Sequence, residues 1–232
     1  MSSRPSAALL LAALLYLTVF FILADTPRLV SVVPDDASYY LEIAENAARG
    51  EGFTFDGMHA TSGFQPLWEY SLYGLYSMVR ATPERMLKLV LLIQAATLAV
   101  AGLLLLKVQG GFRGKRALLT FSLLFVPLVM VPSANGMESA LLMLVLSALV
   151  SLAVLWKALD GRHPVREFVF GLLLGVAMLA RLDVVFVGMV TAVFCLCGIF
   201  GGPERRRTAL RRFGLVVLGA SLVVAPYLLH NV

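Results

Sequence analysis

Charge is what this sequence has least of. Asp, Glu, Lys and Arg make up 14% of its 232 residues, hydrophobic residues make up 59%, and mean hydropathy is +0.87. Soluble domains carry about 25% charged residues, so this composition argues against a water-exposed globular fold. Cysteine is nearly missing. Cys195 and Cys197 lie two residues apart in an apolar run. On a helix they point in different directions, so no bridge between them is expected, and they read as small packing residues. There is no phosphate-cradling glycine loop, no paired-histidine metal motif and no serine nucleophile elbow. No apolar run is rich in charge at its centre, as the spans of proton-coupled transporters often are.

What is present is a series of long apolar runs, near 7–24, 86–106, 117–134, 138–156, 167–182, 184–200 and 213–229. Crossing a bilayer takes roughly 20 residues of helix. The expected fold is therefore all-α, a polytopic membrane protein of about seven transmembrane helices. The run from Ala7 to Leu23 follows Arg4 and reads as a retained first helix, with a cleaved signal peptide as the alternative. Gly171-x-x-x-Gly175 reads as a helix-packing surface.

The short loops set the orientation. One side carries Arg4, the 107–116 cluster, Lys157, Arg162, Arg166 and the 205–212 stretch, which together hold 13 of the 19 basic residues. The other side carries 11 of the 14 acidic residues. By the positive-inside rule the N-terminus is cytoplasmic and the C-terminus is outside. The stretch 205–212 then reads as a topology signal touching membrane lipids, with no nucleic-acid role.

Residues 25–85 form the one long polar segment, an external loop. From Asp36 to Arg49 the apolar positions Ala37, Tyr40, Leu41, Ala44, Ala47 and Ala48 recur at helical spacing, with Ser38, Glu42, Glu45, Asn46 and Arg49 opposite. Gly50 and Gly52 end that helix. Pro66 opens a second amphipathic segment, Leu67 to Val79, with Trp68, Tyr70, Tyr73 and Tyr76. Both are expected to lie along the membrane surface as juxtamembrane helices. The aromatics read as an interface belt, with sugar stacking as the alternative.

Asp35 and Asp36 sit just before the first of these helices. Adjacent carboxylates there can cap the helix or do chemistry, and one can cap while the other reacts. Glu138, in the outer loop 133–139, and Arg181 and Asp183, at the outer end of the fifth run, lie on the same side. Arg181 and Asp183 can also simply pair with each other. His59 reads as a polar loop residue, since no second histidine is near.

Three blocks carry a resemblance: Asp35-Asp36-Ala-Ser-Tyr-Tyr-Leu-Glu-Ile-Ala-Glu-Asn46, Gly50-Glu-Gly-Phe-Thr-Phe-Asp-Gly57 and Ser62-Gly-Phe-Gln-Pro-Leu-Trp68. Weaker pieces follow at Asn135-Gly-Met-Glu138, Ala180-Arg-Leu-Asp183 and Ala225-Pro-Tyr-Leu-Leu-His-Asn231. In this order they resemble the polytopic C-type (GT-C) glycosyltransferases, among them the protein O-mannosyltransferase and lipid A aminoarabinose transferase relatives. The resemblance implies a single transmembrane module over 1–232. It also implies transfer of a sugar from a polyprenyl-phosphate donor to an acceptor on the non-cytoplasmic face. Asp35 is the implied general base, with Asp36 as neighbour or alternate. Arg181 is the candidate for holding the departing phosphate, because it is a lone outer-face arginine at a span end. Asp183, Glu138, His59 and Gln65 complete the candidate substrate-binding set. No metal ligand is assigned and no cofactor is required, although a carboxylate pair can share a divalent ion with a phosphate.

Relatives of this kind usually continue with further spans or a soluble external domain. A shortened module that needs a partner membrane chain is therefore one alternative reading, and a lipid-linked substrate carrier is another. A bacterial plasma membrane is the expected location.

Overall fold

The computed structural model describes residues 4–109 and 133–230, and every regular element among them is helical. The elements are α1 (Arg4–Leu23), α2 (Thr26–Val32), α3 (Asp35–Arg49), α4 (Pro66–Met78) and α5 (Pro83–Gln109), then α6 (Ser139–Val154), α7 (Pro164–Ala180), a 3-10 turn (Leu182–Val184), α8 (Val185–Leu196) and α9 (Pro203–His230). Thr54 and Ala60 form an isolated antiparallel bridge in the 50–65 loop.

Among the described residues, two helices, over Pro83–Val108 and Pro203–Leu229, are long and apolar enough to cross a membrane. Ser139–Val154 and Leu182–Leu196 are apolar but shorter. The third expected run, 117–134, falls almost wholly outside the described residues. The last expected run begins ten residues too late at 213, because α9 already starts at Pro203. Arginine is a good helix former, Pro203 suits a first turn and Glu204 meets the helix dipole there, so the charges of 205–212 extend the helix.

The chain divides within α6 into two compact units, Met1–Leu144 and Val145–Val232. In the first, α1 packs on α5. Leu17 and Phe21 meet Leu91, Ala95 and Leu98, with Leu29 of α2 closing the cluster. Helix α3 packs on α4 through Ala44, Trp68 and Leu72, and Val90 of α5 joins them. Gly50 ends α3 in the left-handed conformation (φ 89°), as its position after the helix predicts.

Asn46 departs from expectation. It faces inward, where its amide donates to the Thr54 and Phe55 carbonyls at 3.0 and 3.2 Å. A buried amide is tolerated because those loop carbonyls satisfy it. Phe53 then fastens the same loop to α4, with ring centroids 5.2 Å from Tyr70 and 5.7 Å from Tyr73. Trp68 is buried and so contributes nothing to a surface belt.

The second unit rests on α7 against α9. Gly171 lies against the Val216 backbone, Gly175 against Ala220 and Gly219 against Phe168 and Leu172. The helices thus touch backbone to backbone, the surface expected of Gly171-x-x-x-Gly175. The 205–212 stretch divides in two. Arg205, Arg206 and Arg207 are exposed. Arg212 turns inward and donates to the Leu159, Phe194 and Cys195 carbonyls, while Arg211 pairs with the fully buried Glu167 at 3.2 Å. Those two residues fasten carbonyls of the 159–161 loop and the end of α8.

Candidate functional site

The 133–138 loop is held by side chains of two other helices. The Gln94 side chain, on α5, accepts from the Gly136 N–H at 2.8 Å and donates to the Met137 carbonyl at 2.5 Å. Trp68 Nε1, on α4, donates to the Gly136 carbonyl at 3.1 Å. Gly136 itself has φ +85°, and a Cβ there would sit 2.9 Å from the Ala37 Cβ. Only glycine combines that backbone with so close an approach. The 133–138 loop is thereby held against the first turn of α3, beside Asp35 and Asp36.

Trp68→Phe removes the donor together with part of the buried indole, leaving the Gly136 carbonyl short of a partner and a small void beside it. A loss of about 1–2 kcal/mol in stability is expected, read as a lower midpoint in thermal unfolding. An unchanged midpoint would show that the bond does not hold the loop.

Neither aspartate is the N-cap. Pro34 takes that position, and Asp35 and Asp36 occupy the first turn, both exposed. They still favour the helix through its dipole, but their carboxylates are not committed to capping. Asp36 belongs to a cluster centred on Tyr40, one helical turn on. The Tyr40 hydroxyl accepts the Gln65 N–H at 3.3 Å. Burial raises the Tyr40 pKa, the Gln65 bond opposes this, and the charges of Glu138, Glu69 and Asp36 raise it further. Three carboxyl groups from three chain segments therefore bear on one phenol.

Glu69 was not among the residues singled out from sequence. It is fully buried, and neither carboxyl oxygen has a hydrogen-bond partner among the described residues. Burial pushes its pKa up to about 8. A signal was available: Pro66, Glu69 and Leu72 recur at helical spacing on the buried side of α4, which places a carboxyl in an apolar stripe.

The other expected site residues are placed as follows. Glu138 is buried at the end of the Gly136 loop. Gln65 joins the cluster through its backbone N–H rather than its side chain. His59 stands on the exposed loop, its Nδ1 2.7 Å from Asp56 Oδ2. That bond raises the His59 pKa and holds Asp56 well below the usual carboxylate range. Arg181 and Asp183 belong to the second unit and pair at 2.9 Å, the mutual contact their spacing allows.

No protein-family model, curated protein or solved structure matches this chain.

Among the described residues, no group of three or more His, Cys, Asp or Glu side chains is disposed to hold a metal ion. The second unit also carries an apolar groove of about 430 Å³ along α7, α8 and α9, lined by Leu174, Met178, Met189, Phe213, Val217 and Val224 among others.

Proposed function

We propose that this chain is a multi-pass membrane glycosyltransferase of the C type. It moves a sugar from a polyprenyl-phosphate donor to an acceptor hydroxyl on the non-cytoplasmic face of a bacterial plasma membrane. The observation that carries the reading is a convergence. Three pieces of the resemblance, 35–46, 62–68 and 135–138, are distant in sequence yet meet around Tyr40 and Gly136. Motif residues that serve one site are expected to gather in this way.

In the proposed reaction the Asp35 carboxylate takes the proton of the acceptor hydroxyl as its oxygen attacks the anomeric carbon. The bond from that carbon to the phosphate oxygen breaks, and polyprenyl phosphate leaves with the electron pair. The leaving group is good, so the step needs a base more than an acid. Asp36 shares the first turn of α3 and is the alternate base.

Proteoliposomes containing the purified chain, a panel of radiolabelled polyprenyl-phosphate sugars and hydroxyl acceptors provide the test. A labelled glycosidic product is expected from at least one donor. Label that crosses the bilayer without forming a glycosidic product would favour a lipid-linked substrate carrier and overturn the transferase reading.

A further inference from the structure

Glu69 has no place in the reaction as written, yet it is the most costly side chain in the first unit to keep ionised. Both of its oxygens are closed off from water and without hydrogen-bond partners among the described residues. Its neighbours Trp68 and Leu72, together with Ala44 and Val90, make the surrounding core apolar. A bare carboxylate in such a place loses its hydration and gains nothing in return, whereas a neutral acid avoids the larger part of that cost.

Burial alone raises the Glu69 pKa, and the titratable groups nearby are these. Tyr40 and Asp36 face the cluster from α3, and Glu138 faces it from the 133–138 loop. Tyr76, on α4 itself, feels Glu69 along with Glu42, Glu45 and Arg49 of α3. Arg49 is the one cation in that set, and it is already paired with Glu45.

We propose that Glu69 is a positioning residue that holds a proton behind the Tyr40 cluster, so that its carboxyl adds no negative charge beside Tyr40 at neutral pH. When Glu69 loses that proton, a buried negative charge joins the cluster, and the site's geometry and electrostatics fail together. The link to activity rests on the transferase reading, while the proton itself can be observed without it.

The direction of the pH dependence follows from a folded-state value near 8 against an ordinary 4.5. Between these values the folded chain keeps a proton that the unfolded chain has released. Stability therefore falls as pH rises from about 4.5 to about 8 and then levels off.

The test has two parts. Infrared titration of the wild-type chain in detergent is expected to show a protonated-carboxyl band at neutral pH that is lost with a midpoint near 8. The band should be absent from Glu69→Gln and retained in Glu167→Gln, which removes the other fully buried glutamate. In the transfer assay, the wild-type rate at about pH 9 is expected to fall roughly tenfold below that at about pH 7, and Glu69→Gln should lose this alkaline fall. A purely structural role for Glu69 would not move the pH profile. No band at neutral pH, or the same band in Glu69→Gln, would overturn the proposal. If the band behaves as expected but no sugar is transferred at any pH, the transferase reading fails while the assignment of the proton stands.

Discussion

Asp35→Asn is expected to slow sugar transfer by about 10²–10⁴-fold, the usual contribution of a positioned general base, which is about 3–5 kcal/mol on the barrier. The substitution is nearly isosteric and sits in an exposed first turn. Its structural cost is limited to the charge–dipole term, about 0.3–1 kcal/mol. Rate and fold are therefore separable. A variant that unfolds like wild type but does not transfer places the base at Asp35. Asp36→Asn should show the smaller loss of the two, through the Tyr40 cluster. If the order is reversed, the base is Asp36. Steady-state transfer with the donor saturating, alongside thermal unfolding of each variant, reads both quantities.

Gly171→Leu is expected to be the most damaging single change in the second unit. A Cβ at this position would collide with the Val216 carbonyl oxygen and stand 2.8 Å from the Val216 Cα. The obstacle is backbone, so no rotamer change relieves it. Helices α7 and α9 must move apart, and Gly175 and Gly219 lose their contacts with Ala220 and Phe168 at the same time. Overpacking of this kind costs about 3 kcal/mol or more, and the apparent unfolding midpoint should fall by roughly 10 °C. Gly214→Ala is the control, because a Cβ there meets nothing within 4 Å. Equal midpoints for the two variants would mean that the α7–α9 contact does not hold the unit together.

The parts of the fold that follow local rules were legible in the sequence. Helical spacing from Asp36 to Arg49, a glycine after it and a proline at the start of the next segment located α3 and α4 within a residue or two. The glycine pair of α7 announced a close helix contact, and the structure supplies α9 as its partner. Features settled by tertiary contacts were not legible. Asn46 looked like a surface residue until the 50–65 loop folded over it. Arg211 and Arg212 looked like loop charges, but they lie inside a helix and staple distant carbonyls.

The candidate site divides in the same way. Asp35, Asp36 and Glu138 stood out as charges beside apolar runs. The clamp of Gln94, Trp68 and Gly136 could not be read, because its hydrogen bonds join residues 42 and 68 positions apart. Glu69 was hidden for a different reason. It lies between Trp68 and Tyr70 in a segment whose spacing marks it as amphipathic, and spacing alone does not say which of its polar residues a tertiary contact buries.

The most direct measurement compares product formation by the wild-type chain and the Asp35→Asn/Asp36→Asn double variant, in the same proteoliposomes and with matched unfolding midpoints. Labelled sugar transferred from the polyprenyl-phosphate donor to a hydroxyl acceptor by the wild type, and at least 100-fold less by the double variant, is the expected result. Equal product from both proteins, or none from the wild type with any donor, would contradict a transferase whose base lies at the start of α3.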